Sequence, residues 1–211
     1  MAIKPILFNT EMVRAILDGR KACTRRILKG AIPFDETAEY WNVLKKGEWS
    51  GPICVEHFIK QFSPYKQGDI LYVRETWTHF ECWNCEGDEE GNCVEEPHIS
   101  VLQKQGGCYL YRATSEISGD ARWHPSIHMP KEAARIWLKV TDVRVERLQD
   151  MTDDDAEAEG CFDYTSTALG FPDVWDSTIK KSDLDRYGWA ANPWVWVIQF
   201  ERCGKPEEAR R

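Results

Sequence analysis

The chain has 211 residues, with 27 lysines and arginines against 35 aspartates and glutamates, for a net charge of −8. That length buries one good core, and the acidic balance excludes indiscriminate binding to nucleic acid unless the basic groups gather on one surface. No apolar run approaches a membrane span and Met1 to Pro5 opens no secretory leader, so the sequence reads as a single cytoplasmic globular unit whose eight cysteines are free thiols or metal ligands rather than disulfides.

Lys4 to Phe8 predicts a strand leading into a short amphipathic helix over 10–18. Met12, Val13, Ile16 and Leu17 share one side of it, Thr10 supplies a cap and Gly19 a left-handed exit. The corner that follows holds Lys21, Thr24, Arg25 and Arg26. A lysine, a hydroxyl and two guanidinium groups leaving a rigid helix end together form an anion or nucleotide contact; the alternative is a solvated basic turn. Thr24 to Leu28 reads as the strand leaving this corner. From 29 to 65, Ile32-Pro33, Gly47, Gly51-Pro52 and Ser63-Pro64 interrupt the pattern, which reads as a long excursion with one irregular strand or hairpin.

Lys66-Gln67-Gly68-Asp69 is a turn, and Ile70 to Trp77 a strand with Leu71, Val73, Glu75 and Trp77 on one face. A carboxylate in an apolar row must find a cation or donors, or take up a proton. Glu75 is therefore a salt-bridge partner, with Lys21 or Arg26 as the expected cation, or a site residue. Cys82, Cys85, Cys93 and Cys108, with His79 and His98 nearby, have spacing that could close a tetrahedron around a structural zinc; the alternative is an acidic loop with reduced thiols. Trp123 to Pro130 reads as a rigid extended segment, with His124 and His128 as metal ligands or acid–base groups, or else as packing or solvent-exposed residues.

Arg135 to Leu148 predicts a strand pair whose apolar phase slips at Thr141-Asp142, the mark of a bulge or bend by which a strand turns the corner of a small barrel. Thr152 caps a helix over 152–159 with Asp153, Asp154 and Asp155 in its first turn, and Gly160 ends it. Glu159, at the wrong end of that helix for its charge, needs solvent or a local cation. Residues 161–192 read as loop and short helix, Trp194 to Arg202 as a closing strand with an apolar face of Trp194, Trp196, Ile198 and Phe200, and 204–211 as a charged tail.

Gly19-x-Lys21-x-x-Thr24-x-Arg26 resembles the signature of the ASCH family, small proteins of the PUA-like barrel superfamily. The resemblance continues, in the family's order, through Lys66 to Val73, Leu138 to Val143 with Leu148 to Thr152, and Trp196 to Phe200. Trp123 to Pro130 and Trp175-Asp176-Ser177 further resemble a larger subgroup common in bacteriophage genomes. The resemblance implies an α+β fold, a mixed PUA-like β-barrel of five to seven strands flanked by short helices, spanning 1–203 with insertions at 29–65, 78–134 and 161–192. It implies binding of RNA or a modified nucleotide or nucleoside in a cleft, with Arg25, Arg26 and Glu75 as contacts. One bacterial branch hydrolyses the N4-acetyl amide of acetylcytidine with a lysine and threonine of the signature and a later glutamate. Those map onto Lys21, Thr24 and Glu159, so an amidohydrolase is the second expectation, and a phage structural or regulatory protein without catalysis the third.

Overall fold

The computed structural model describes residues 1–81, 107–115, 122–160 and 170–209. They form an α+β chain. In order its elements are β1 (Ile3–Leu7), α1 (Thr10–Leu17), β2 (Cys23–Ile27), β3 (Ala31–Pro33), β4 (Tyr40–Lys45), β5 (Glu48–Trp49), β6 (Ile53–Cys54) and α2 (Val55–Phe62). Then come β7 (Ile70–Arg74), β8 (Trp77–Glu81), β9 (Gly107–Tyr111), β10 (Trp137–Arg147), α3 (Asp153–Ala158), α4 (Phe171–Ser177), α5 (Leu184–Tyr187) and β11 (Trp194–Cys203). Two compact units result: Met1–Gly19 with Ile70–Lys139 and Arg202–Arg211, and Arg20–Asp69 with Val140–Glu201. Among the described residues no helix is long and apolar enough to cross a membrane.

In the first unit β1 runs parallel to β7, from Ile3 opposite Ile70 to Leu7 opposite Arg74, and Trp137 to Lys139 of β10 add antiparallel on β7. β8 and β9 pair antiparallel. Its core is Ile70, Tyr109, Tyr111, Met129, Ala133, Ala134 and Trp137. Helix α1 is capped by Asn9, whose Oδ1 accepts from the Met12 N–H at 2.9 Å, one residue before the expected Thr10. Gly19 leaves the helix at φ +76° as expected. The strand expected over 70–77 breaks at Glu75-Thr76 into β7 and β8. Within the segment expected to be extended, Ser126–His128 forms a 3-10 turn; the His124 ring stacks on Trp77 at 4.9 Å, and His128 is exposed.

In the second unit β2 pairs antiparallel with β11, from Cys23 opposite Gln199 to Ile27 opposite Val195, and β10 is the other neighbour of β11. The core here is Cys23, Leu148, Met151, Ala156, Phe171, Trp175, Val195 and Val197. The excursion over 29–65 is more regular than its glycines and prolines suggest: β3, β4, β5 and β6 make a four-stranded sheet and α2 follows. Val55, Phe58, Ile59 and Phe62 hold helical spacing, and Phe58 is clamped between Trp41 at 4.9 Å and Trp196 at 5.2 Å. Aromatic burial thus outweighs the turn residues that interrupt the segment.

The strand pair expected over 135–148 is the single strand β10. From Thr141 to Arg147 every residue is half-buried, so neither face is a core face and the apolar alternation fades without a hairpin. Among the described residues the pairings form open ladders, and the barrel expected from the resemblance is not closed by them.

Candidate functional site

Strand alternation sorts the basic corner into two faces. Cys23, Arg25 and Ile27 of β2 point to one side, where Cys23 packs in the core with Val197 and Ala156. Thr24 and Arg26 point to the other, opposite Ile198 and Trp196 of β11. Facing the first side is α3, begun by a capping box in which Thr152 accepts from the Asp155 N–H at 3.2 Å and Asp155 accepts from the Thr152 N–H at 3.0 Å. Gly160 ends the helix at φ +89°, leaving Glu159 as the last residue before the turn.

The end of α3 is tied to the start of β2. The Ala22 N–H donates to the Ala158 carbonyl at 2.8 Å. Lys21 Nζ donates to Glu159 Oε2 at 2.5 Å and to the Glu159 carbonyl at 2.8 Å, so one ammonium satisfies both the carboxylate and an orphan carbonyl of the helix end. Arg25 Nη1 lies 3.4 Å from Glu159 Oε1, and Nη2 lies 3.3 Å from Asp155 Oδ1 and 3.6 Å from Glu146 Oε2. Arg144 pairs in turn with Glu146 and Asp155. The side chains of Lys21, Arg25 and Glu159 are 1%, 0% and 6% exposed, so this is a buried alternation of charge rather than a solvated basic turn. Two cations at a helix carboxyl end also answer the electrostatic demand of Glu159.

Burial pushes the Cys23 thiol up to about 12, with Glu159 adding to the effect, so Cys23 is an inert core thiol. Asp155 sits below the usual aspartate value: burial opposes this, and the Thr152 N–H and the Arg25 charge overcome it.

On the opposite face Arg26 is half-buried beside Tyr65. Burial lowers the guanidinium from its ordinary value while Glu159 and Tyr65 oppose it; burial raises the Tyr65 phenol while Arg26 opposes that. Tyr65 lines an open cleft of about 410 Å³ with Lys60, Lys66, Gln67, Glu56 and Asp142. Its floor is partly apolar, through Ile59 and Val143, and its volume is within the range of small-molecule sites.

Lys21, Arg25 and Glu159 thus converge although 138 residues separate Lys21 from its partner. Thr24 is buried but faces Ile198 across the ladder, away from the side that Arg25 and Glu159 share. Glu75 corrects the expectation attached to it. Its carboxylate accepts from Arg135 Nε and Nη2, both at 2.9 Å, so its cation is Arg135 rather than Lys21 or Arg26. Arg135 also donates to Thr114 Oγ1 at 3.0 Å and lies 4.1 Å over the Tyr111 ring. With Glu75 1% exposed, this bidentate pair is a structural element of the first unit. Burial still raises the Glu75 carboxyl, with Arg135 opposing.

Cys82, Cys85 and Cys93 lie outside the described residues, and of Cys108 only the backbone of β9 is described, so the zinc expectation lies outside them as well. Sequence reasoning missed Asp155, Glu146 and Tyr65. Asp155 carried a signal, since Thr152-x-x-Asp155 has capping-box spacing; Glu146 and Tyr65 carried none beyond their residue types.

No family model matches the chain, and no curated protein does. The fold is similar to the crystal structure of an ASCH domain from Lactobacillus crispatus JV V101, with a TM-score of 0.44 and 10% identity, covering 95% of this chain and 79% of that one. That likeness is too distant to assign a family.

Proposed function

We propose that the second unit holds a nucleotide, free or within single-stranded RNA, in the cleft that Tyr65 lines, with Arg26 of the signature strand beside Tyr65. The observation that carries this is the pairing of those two side chains: a half-buried guanidinium stands beside a phenol that lines a cleft of about 410 Å³, whose lining also holds Lys60 and Lys66 along with Glu56 and Asp142. A phenol offers a stacking face to a base, and lysines and a guanidinium suit phosphate. The Lys21–Arg25–Glu159 cluster is the positioning element behind it, fixing β2 against α3 so that Arg26 has one place to be. The resemblance of the signature segments to PUA-like proteins favours the same ligand class.

The amidohydrolase alternative has one observation in its favour, the 2.5 Å contact between Lys21 and Glu159, two of the three residues that the resemblance implies for catalysis. Against it, Thr24, the third of those residues, points to the other face of β2 from the side that Arg25 and Glu159 share, so the three do not converge on one reacting atom. Binding is therefore the better-supported function.

The test is a fluorescence titration of the full chain with short single-stranded RNAs and modified nucleosides at two salt concentrations. Saturable binding that weakens with salt and is reduced in Tyr65→Ala and Lys60→Ala is expected. Absence of saturation at low salt for every ligand would overturn the proposal.

A further inference from the structure

The sheet of β3, β4, β5 and β6 uses its two faces in opposite ways. Trp41 and Val43 of β4 are buried, Trp41 against Phe58 and Trp194. Tyr40 and Leu44 alternate with them and point to the other side. Register places Trp49 opposite Leu44 and Ile32 opposite Asn42, and Phe34 follows Ile32 by two residues, its N–H donating to the Tyr40 carbonyl at 2.7 Å. These residues share the second face and stay exposed: Ile32 by 47%, Phe34 by 57%, Tyr40 by 45%, Leu44 by 44% and Trp49 by 51%. Of the eight large apolar side chains exposed among the described residues, five lie here.

An aromatic side chain carries ~150–250 Å², so five half-exposed apolar residues present roughly 500 Å², near the upper end of what monomers leave bare. Two such faces in contact cover about 1,000 Å², the threshold for a specific interface, before any rim is counted.

Charge selects the occupant. Asp35, Glu36 and Glu39 stand at the β3–β4 end of the sheet. Lys29 and Lys46 stand at the other end, since β3 runs antiparallel to β4 and Gly30 meets Leu44, while Lys45 turns to the other face, its ammonium 4.6 Å over the Phe62 ring. A polyanion or an anionic bilayer would be repelled by the acidic end. A second copy related by a two-fold axis across the strands would lay each acidic end over the other's basic end, the self-complementarity that an isologous contact requires.

We infer that this chain self-associates as a two-fold dimer through the exposed face of the β3–β6 sheet, packed face to face with the strands of the two copies antiparallel. The apolar residues supply the contact and the polarised ends supply its direction.

Sedimentation equilibrium of the full chain across a wide concentration range tests this, with circular dichroism to check folding. Wild type is expected to pass from the 24.5 kDa monomer to twice that mass, with the transition shifted to higher concentration by salt. Asn42→Lys, which sets like charges at the two-fold axis, should abolish the dimer, as should Trp49→Thr. Ile127→Ser, an exposed apolar position outside the sheet, should leave it intact. In Asn42→Cys, on the same face, oxidation should give a covalent dimer that wild type does not form. A monomer at every concentration, or a dimer that survives both Asn42→Lys and Trp49→Thr in folded protein, would overturn the inference. So would a complex with single-stranded RNA that Trp49→Thr alone removes.

Discussion

Replacing Glu159 by glutamine leaves the shape of the site in place and removes the charge that Lys21 and Arg25 share. Both cations are buried, with side chains 1% and 0% exposed, and Lys21 donates two hydrogen bonds to this one residue. Removing one member of a buried pair costs about 3–5 kcal/mol, because the remaining charge is left uncompensated. At ~2–4 °C per kcal/mol for a chain of this size, the melting temperature should fall by roughly 6–20 °C. Arg25 retains Asp155 and Glu146, which argues for the lower half of that range. Urea titration followed by far-ultraviolet dichroism measures the change, with Glu11→Gln as control. The Glu11–Arg14 pair is 71% and 47% exposed and should contribute no more than about 0.5 kcal/mol. The double variant Lys21→Met with Glu159→Leu removes both charges and should be more stable than Glu159→Gln alone. A Glu159→Gln cost no larger than that of Glu11→Gln, or a double variant whose cost equals the sum of its singles, would refute the buried network.

Three further outcomes follow from other residues. Arg135→Lys keeps the charge but not the fork that grips both Glu75 oxygens or the stacking over Tyr111, and should cost about 1.5–3 kcal/mol in the same titration. Asp155 titrates below its ordinary 3.8 in the fold, so the unfolded chain binds its proton first as pH falls. Its contribution is present above that value and lost below it, and Asp155→Asn should flatten this part of the acid-unfolding profile. If Cys82, Cys85, Cys93 and Cys108 bind a structural zinc, protein purified without added metal should carry about one equivalent by elemental analysis, and less than roughly a tenth would remove the idea.

Local chemistry was the part of this chain that its sequence displayed most directly. Thr152 with acids behind it, Gly160 after Glu159, and Gly19 after an apolar helix face each act over four residues or fewer, and each appears where its chemistry requires. The demand of Glu159 for a cation was equally legible, because a carboxylate at a helix carboxyl end is unfavourable wherever the rest of the fold lies. Partner choice was not legible in the same way. Glu75 needs a cation, but whether Lys21, Arg26 or Arg135 supplies it depends on which segments pack together, and Arg135 lies 60 positions away with no local mark. The 29–65 segment misled for a different reason: its glycines and prolines are real turn signals, yet the turns are short and the apolar residues between them pair into a sheet and one helix. Tyr65 became a site residue only through the cleft that the chain builds around it.

Photocrosslinking bears most directly on the central claim, that the cleft Tyr65 lines holds a nucleotide. The full chain would be irradiated with single-stranded RNA carrying 4-thiouridine and the attachment sites read by peptide mass. Crosslinks at Tyr65 and within Lys60 to Gln67, reduced by competing mononucleotide, are expected. Crosslinks confined to the exposed face of β3, β4 and β5, or none above the level of an unrelated acidic protein, would contradict it.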